Sequence, residues 1–215
     1  MNQTSPALVA QNAVRRLPRA VLILLSLAYV LPGFIGRDPW KNADITAYGR
    51  HRCTICMCPT TERDLADGIG PARRLRDAGA SLSLGSDSHA VIDLFEEARA
   101  VELDERLSSN VRGNHATKDL LAAATVDGHR SLGWTEAGVL TVGGIADLVS
   151  VRLDSVRTAG AGAATVLDTV LYGAGSVDVH HVVASGRVVV RDGAHRSLDV
   201  AAELSQTIAA VVEGA

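Results

Sequence analysis

Aromatic side chains make up only 3% of this chain of 215 residues. So few rings exclude the stacking platforms on which single-stranded nucleic acids are held. Positive charge is not in excess either. The 21 Lys and Arg against 24 Asp and Glu give a formal net charge of −3, the wrong sign for a face that binds a polyanion. No nucleic-acid partner is expected. Cysteine is confined to Cys53, Cys56 and Cys58. An odd, clustered set builds no disulfide framework and fits a reducing compartment. Neither H-x-H nor H-E-x-x-H occurs among the seven histidines. The Gly143–Gly144 pair lacks G-x-G-x-x-G or P-loop spacing, so it reads as a turn and not a phosphate cradle.

Apolar residues reach 47% and charged ones 21%, enough for a packed core and too apolar for wholesale disorder. The one long uncharged run is residues 20–36, flanked by Arg15, Arg16, Arg19 and Arg37. As a helix it would span about 26 Å, just short of a bilayer core of about 30 Å. Three readings stay open: a membrane anchor with its basic N-terminus inside, a signal peptide, or an apolar helix packed on a core. No small-x-small cleavage site follows it cleanly, and Pro32 and Gly33 would weaken its last turn.

Residues 38–52 are polar and aperiodic and read as a junction. Residues 54–58 form a short apolar run ended by Pro59, the pattern of a buried strand. A helix is expected over 69–77, closed by Gly79, and a second strand over 81–85. An amphipathic helix comes next over 93–107, with Leu94, Ala98, Val101 and Leu107 on one face. Another runs from 117 to 124 and continues through 128–132. After Gly133 the texture turns to β. Strands are expected across 138–153 around the Gly143–Gly144 turn, over 166–171, and over 179–190 with turns at Ser185–Gly186 and Asp192–Gly193. A helix over 198–212 ends the chain. The order implies an α/β fold: βα units of a parallel sheet, then a separate antiparallel layer.

Two short motifs stand just past strands. Gly85-Ser86-Asp87-Ser88-His89 lies where α/β sheets gather catalytic groups. Asp87 there could ligate a metal and take a proton from its water, or simply cap the next helix. Pro59-Thr60-Thr61-Glu62 could line a polar pocket or form a capping box. The C-x-x-C of Cys53 and Cys56 lacks a second ligand pair, and Cys56 and Cys58 would point the same way on a strand as small buried groups. His89 has the best address among the histidines. His129 reads as a packing or capping residue in its helix, and His180–His181 as solvent-facing.

Taken together these segments resemble one family. CPTTE and GSDSH at this separation are similar to the seventh and eighth βα units of formimidoylglutamate deiminases, in the metal-dependent amidohydrolase superfamily. LLAAATVDGHRSLGW with GVLTVGGIADLV resembles that superfamily's exit from its (β/α)₈ barrel into a small β domain, and HHVVASGRVVVRDGAH its closing strands. The match covers residues 53–213. It implies hydrolysis of N-formimidoyl-L-glutamate to N-formyl-L-glutamate and ammonia, in histidine degradation and in the cytoplasm. It implies a zinc ion that lowers its water's pKa toward about 7. Asp87 would be both metal ligand and catalytic proton shuttle, with Thr61, Glu62 and His89 beside the small-molecule substrate. Residues 20–36 with the following loop resemble a membrane helix of bacterial glycosyltransferases.

The departures are as informative. The family's H-x-H after strand one is absent, and two βα units do not close a barrel of about 250 residues. The chain therefore reads as residues 1–52 of unrelated origin, a partial barrel over 53–133, a β domain over 134–197 and a terminal helix over 198–215. A fragment of this kind is expected to be inactive alone. Two alternatives remain: a non-catalytic membrane-anchored fusion, or an amidohydrolase acting on another amidine or aminoheterocycle. On any of these readings, exposed sheet edges could pair with another chain, as in a homo-oligomer.

Overall fold

The computed structural model describes residues 40–214, so the apolar run at 20–36 lies outside the described residues. Among those described, no helix is long and apolar enough to cross a membrane. The chain divides into two units, the first ending at Gly138 and the second starting at Val139.

The first unit opens with helix α1, Asn42–Arg50, where the sequence suggested an unstructured junction. The segment has weak periodicity because its contact is made by Ile45 and by a glycine, Gly49, both buried. Strand β1, Thr54–Met57, pairs in parallel with β2, Ser81–Leu84, in the register Thr54↔Ser81 through Met57↔Leu84. The crossover contains α2, Pro59–Asp64, and α3, Ala72–Asp77. The expected helix from 69 starts later because Pro71 occupies its N-cap position, lacking the N–H that an earlier turn would need. Gly79, at φ 105°, then turns the chain into β2.

Helix α4, Leu94–Ser109, is capped by Asp93, whose carboxylate accepts from the backbone N–H of Phe95 at 2.9 Å. Its buried face differs from the expected one. Ala98 and Val101 are inside, but Leu94 and Leu107 are 51% and 75% exposed. Glu97 and Glu102 take the interior places, both at 0% exposure. Each is satisfied by hydrogen bonds. Glu102 accepts from Arg106 Nε at 2.6 Å and from the backbone N–H of Gly113 and His115. Buried carboxylates are tolerable only on such terms. The helix expected to run on from 117 is two: α5, Thr117–Ala124, and α6, Val126–Ser131, broken at Thr125 with φ −129° and ψ −99°.

His115 is buried at 4% exposure, and Arg76 Nη1 donates to its Nδ1 at 3.0 Å. Its Nε2 has no hydrogen-bond partner among the described residues. Burial, and then the Arg76 charge, pull this imidazole from 6.5 down to about 4. An unfolded chain therefore binds a proton there that the folded one refuses. Stability from this group is full above the unfolded value and is lost as pH falls through that window. We expect the wild type to lose on the order of 3 kcal/mol relative to His115→Gln as pH falls from about 7 to 4. Urea unfolding at both pH values checks this, and parallel pH curves for the two proteins would refute it.

The second unit is an antiparallel meander in the order β3-β4-β5-β6. Its strands are β3, Leu148–Val151; β4, Val179–Ala184; β5, Arg187–Arg191; and β6, Ala194–His195. The turns at Ser185–Gly186 and Asp192–Gly193 fall where the sequence put them, with positive φ at all four residues. No strand forms at residues 139–142. The stretch expected as a strand over 166–171 is helix α7, Val166–Gly173. Val166 and Val170 have strand propensity, but half-buried Val166 and Val170 with buried Leu171 recur at helical spacing. Tertiary burial overrides a preference worth about 1 kcal/mol at most. Asp178, buried at 1%, holds Arg157 through two bonds of 2.8 and 3.0 Å. The last helix, α8, Val200–Glu213, begins at the cap Asp199 and exposes every described residue.

Candidate active site

The C-terminal ends of β1 and β2 emerge side by side because the strands are parallel and in register. The segments leaving those two ends form the candidate site. After β1 the chain turns directly into α2, with Pro59, Thr60 and Thr61 all buried. After β2 it makes an open turn over residues 85–89.

Thr61 joins the two. Its hydroxyl donates to the Ser86 carbonyl at 2.6 Å, accepts from the Ser88 N–H at 3.2 Å and lies 3.0 Å from Ser88 Oγ. At 1% exposure it is wholly engaged by the neighbouring loop. The turn it grips carries Asp87, exposed and at φ 48°, and exposed His89, at φ 59°, whose N–H closes onto the Ser86 carbonyl at 3.0 Å. Left-handed backbone at two non-glycine residues costs free energy and persists where surroundings impose it. Asp87 is not the helix cap that its sequence allowed. Asp93 fills that place.

Glu62 is half-buried, and its Oε1 accepts from the Cys58 N–H at 3.0 Å. It is not the capping box that the sequence allowed, because Cys58 is the N-cap and Glu62 stands four residues on, one past the motif's N3 position. Burial raises the Glu62 carboxyl above its ordinary value, partly offset by that bond. Cys56 and Cys58 do point the same way, with Sγ atoms 3.8 Å apart. They are half-buried, while Ile55 and Met57 take the buried face of β1. Hydrogen bonding from Cys58 lowers the Cys56 thiol to about 7. The charges of Glu62 and Asp87 oppose this.

One residue has no signal in the sequence. Glu97, from α4, accepts the Thr60 N–H at 3.0 Å and also the Thr60 hydroxyl. It anchors the start of α2 and with it Thr61. A buried Glu on an amphipathic helix has the spacing of a surface residue, and only its removal from solvent marks it.

A catalytic zinc takes three protein ligands. Around Asp87 the described residues offer no group of three His, Cys, Asp or Glu donors converging on one point. Such a group among them is His180, His181 and Asp192, on the other unit. The described residues therefore do not fit the zinc centre expected at Asp87, since one carboxylate cannot define its coordination. His180 and His181 are also not simply solvent-facing. They are 39% and 34% exposed, and both approach Asp192. His129, by contrast, bonds back to the Thr125 carbonyl through Nδ1 at 2.8 Å, a local capping role.

The chain is similar to known proteins in sequence and in fold. The chain is 34% identical over 160 residues to a formimidoylglutamate deiminase from Pseudomonas aeruginosa, covering 71% of this chain and 35% of that protein. It is 31% identical over 151 residues to a 5-methylthioadenosine/S-adenosylhomocysteine deaminase from Natronomonas pharaonis, covering 69% and 34%. Its fold superposes on an adenosine deaminase from Xanthomonas campestris, solved with bound zinc. The TM-score there is 0.72 at 28% identity, over 78% of this chain and 39% of that one. The chain thus spans about a third of the length of the curated relatives it matches. Its two parallel βα units are part of the barrel of such enzymes. The profile of the amidohydrolase family matches residues 17–189, reaching into the segment that the sequence set apart, and the chain belongs to that family.

Proposed function

We propose that this chain forms the aspartate-bearing wall of an amidohydrolase-type active site that hydrolyses a C–N bond of a small linear amidine, N-formimidoyl-L-glutamate. The observation that carries the proposal is the setting of Asp87. Its carboxylate is exposed at the C-terminal end of β2, on a turn that Thr61 grips at Ser86 and Ser88. Attack of water on an amidine carbon needs a base to take the proton and an acid to pass it to the departing nitrogen. An exposed carboxylate on a rigid turn suits both steps, because catalytic groups work when their neighbours fix them. Thr61 is then a positioning residue. Glu62, held by the Cys58 N–H, and His89 would border the substrate. Asp87 would also contribute one ligand to a metal centre whose other donors are not among the described residues.

A second reading rests on the deaminase relatives acting on adenosine-type compounds. It keeps the reaction and the role of Asp87 and replaces the amidine by an aminopurine.

Two assays test the proposal. The purified chain with added zinc is expected to release no ammonia from formimidoylglutamate above the blank, and enzyme-like release would overturn the view of its site as one wall. Residues 53–213 are then exchanged for the matching third of the Pseudomonas aeruginosa relative. This chimera is expected to release ammonia, and Asp87→Asn to slow it by about 10²–10⁴-fold. An Asp87→Asn chimera as fast as its parent would remove Asp87 from the chemistry. A chimera preferring 5-methylthioadenosine would favour the second reading.

A further inference from the structure

We propose that His180, His181 and Asp192 form a binding site for a divalent transition metal on the antiparallel sheet of the second unit. The site shares no residue with the Asp87 turn and does not depend on the function proposed above.

Neighbouring residues of a strand ordinarily face opposite sides of the sheet. His180 and His181 do not, because the register breaks between them. His181 pairs with Ser150 and Val179 with Val151, which leaves His180 as the extra residue of a β-bulge. Bulges re-aim side chains in this way. The two imidazole rings consequently stand 4.1 Å apart, centre to centre, at an interplanar angle of 71°.

The third ligand comes from the next hairpin. Asp192 has φ 53° and Gly193 φ 77°, and the Gly193 N–H donates to the His180 carbonyl at 2.9 Å. That bond fixes the turn against the bulge. Asp192 Oδ1 then lies 2.8 Å from His180 Nε2 and 3.7 Å from His181 Nε2. Ligand atoms each about 2.0–2.1 Å from one zinc ion are themselves roughly 3–3.5 Å apart. The two carboxylate–imidazole separations bracket that value, and all three ligand atoms lie within 4.8 Å of one another, close enough to draw in around a shared ion.

The surroundings prepare one imidazole for this role. Ser150 Oγ accepts the backbone N–H of His181 at 3.0 Å and lies 3.3 Å from His181 Nδ1. With Nδ1–H donated to Ser150, the lone pair of His181 sits on Nε2, facing Asp192. Metal-bound histidines are typically oriented by such a bond on their other nitrogen. Two imidazole nitrogens and one carboxylate suit zinc, nickel or copper and not magnesium or calcium, which prefer all-oxygen sets. Asp192 is 71% exposed, so water completes the coordination and the ion exchanges with solvent. Its effect would be to tie β4 to the β5–β6 turn. A hydrogen-bonded His–Asp pair without metal affinity would give similar distances, and the experiment separates the two.

The chelator-treated full chain, labelled with ¹⁵N at histidine, is titrated with zinc and followed by its imidazole resonances. One equivalent is expected to move the Nε2 signals of His180 and His181 together, with millimolar magnesium failing to reverse the change. Asp192→Ala should weaken zinc binding at these signals by at least about ten-fold, and Ser150→Ala, which keeps all three ligands, by roughly ten-fold. If Asp192→Ala disturbs the hairpin, the wild-type titration and Ser150→Ala decide alone. Zinc that leaves both imidazole signals unmoved, an affinity unchanged in the variants, or displacement by magnesium would each overturn the site.

Discussion

Glu97→Ala should destabilise the first unit by about 4 kcal/mol, whereas Glu97→Gln at neutral pH should cost almost nothing or stabilise it. The contrast comes from what Glu97 holds. Its carboxylate is at 0% exposure and receives both the N–H and the hydroxyl of Thr60. Alanine strands two buried donors at roughly 1–3 kcal/mol each. Glutamine keeps an acceptor for the N–H and meets the hydroxyl oxygen with its own amide. Burial is the first cause acting on the Glu97 carboxyl and raises it above its ordinary 4.5, with the Thr60 donors pulling the other way. The sign is then fixed. A raised folded-state pKa gives stability that is full below the unfolded value and is lost as pH rises through the folded one. The Gln variant should therefore gain on the wild type between pH 4 and 7 in urea unfolding. A wild type that gains on Gln across that range would show the ionised carboxylate to be the favoured form. Because Thr60 precedes Thr61, the Ala variant should also loosen the Ser86–Ser88 turn, seen as faster amide exchange at Ser88.

Gly49→Val is expected to have a larger effect still, preventing the first unit from folding in water. A Cβ on Gly49 would meet the Ala78 carbonyl oxygen at 2.0 Å and its carbonyl carbon at 2.4 Å. Both are backbone atoms at the end of α3, so no side chain can swing away. Relief requires α1 to leave α3, uncovering Ile45 and the apolar surface beneath it. Overpacking with backbone displacement costs about 1–3 kcal/mol for a single methylene, and an isopropyl group demands more. Gly162→Ala is the control, since nothing lies within 4 Å of its Cβ position and its φ is not left-handed. It should change the unfolding midpoint negligibly. A Gly49→Val protein as stable as the wild type would show that α1 does not pack as described.

How far the sequence reaches depends on the kind of signal. Strands β1 and β2, helix α4 and the hairpin turns of the second unit are legible from short apolar runs, periodicity, and Gly or Asp at turn positions. Helix α1 is not, because its buried contact is a glycine, which carries no hydropathy. Helix α7 reads as a strand because Val and Leu suit strand and helix alike until burial picks one face. Leu94 and Leu107 show the converse error. They have core spacing and stand exposed, while two glutamates occupy the interior. Asp87, Thr61, Glu62 and His89 stand out by motif and position. The structure has Thr61 hold the turn on which Asp87 and His89 both stand exposed, and has Glu62 bonded to the Cys58 N–H at the start of the neighbouring helix.

The sequence by itself determined the parallel βα pair, the hairpin turns of the second unit and the amidohydrolase family, because these arise from local patterns and linear motifs. The tertiary structure alone decided that Thr61 holds the Asp87 turn, that Glu97 secures Thr60, and that a bulge turns two adjacent histidines onto one side. Each of these depends on atoms brought together from distant positions or on a single residue's register. None of them leaves a periodic trace in the order of amino acids.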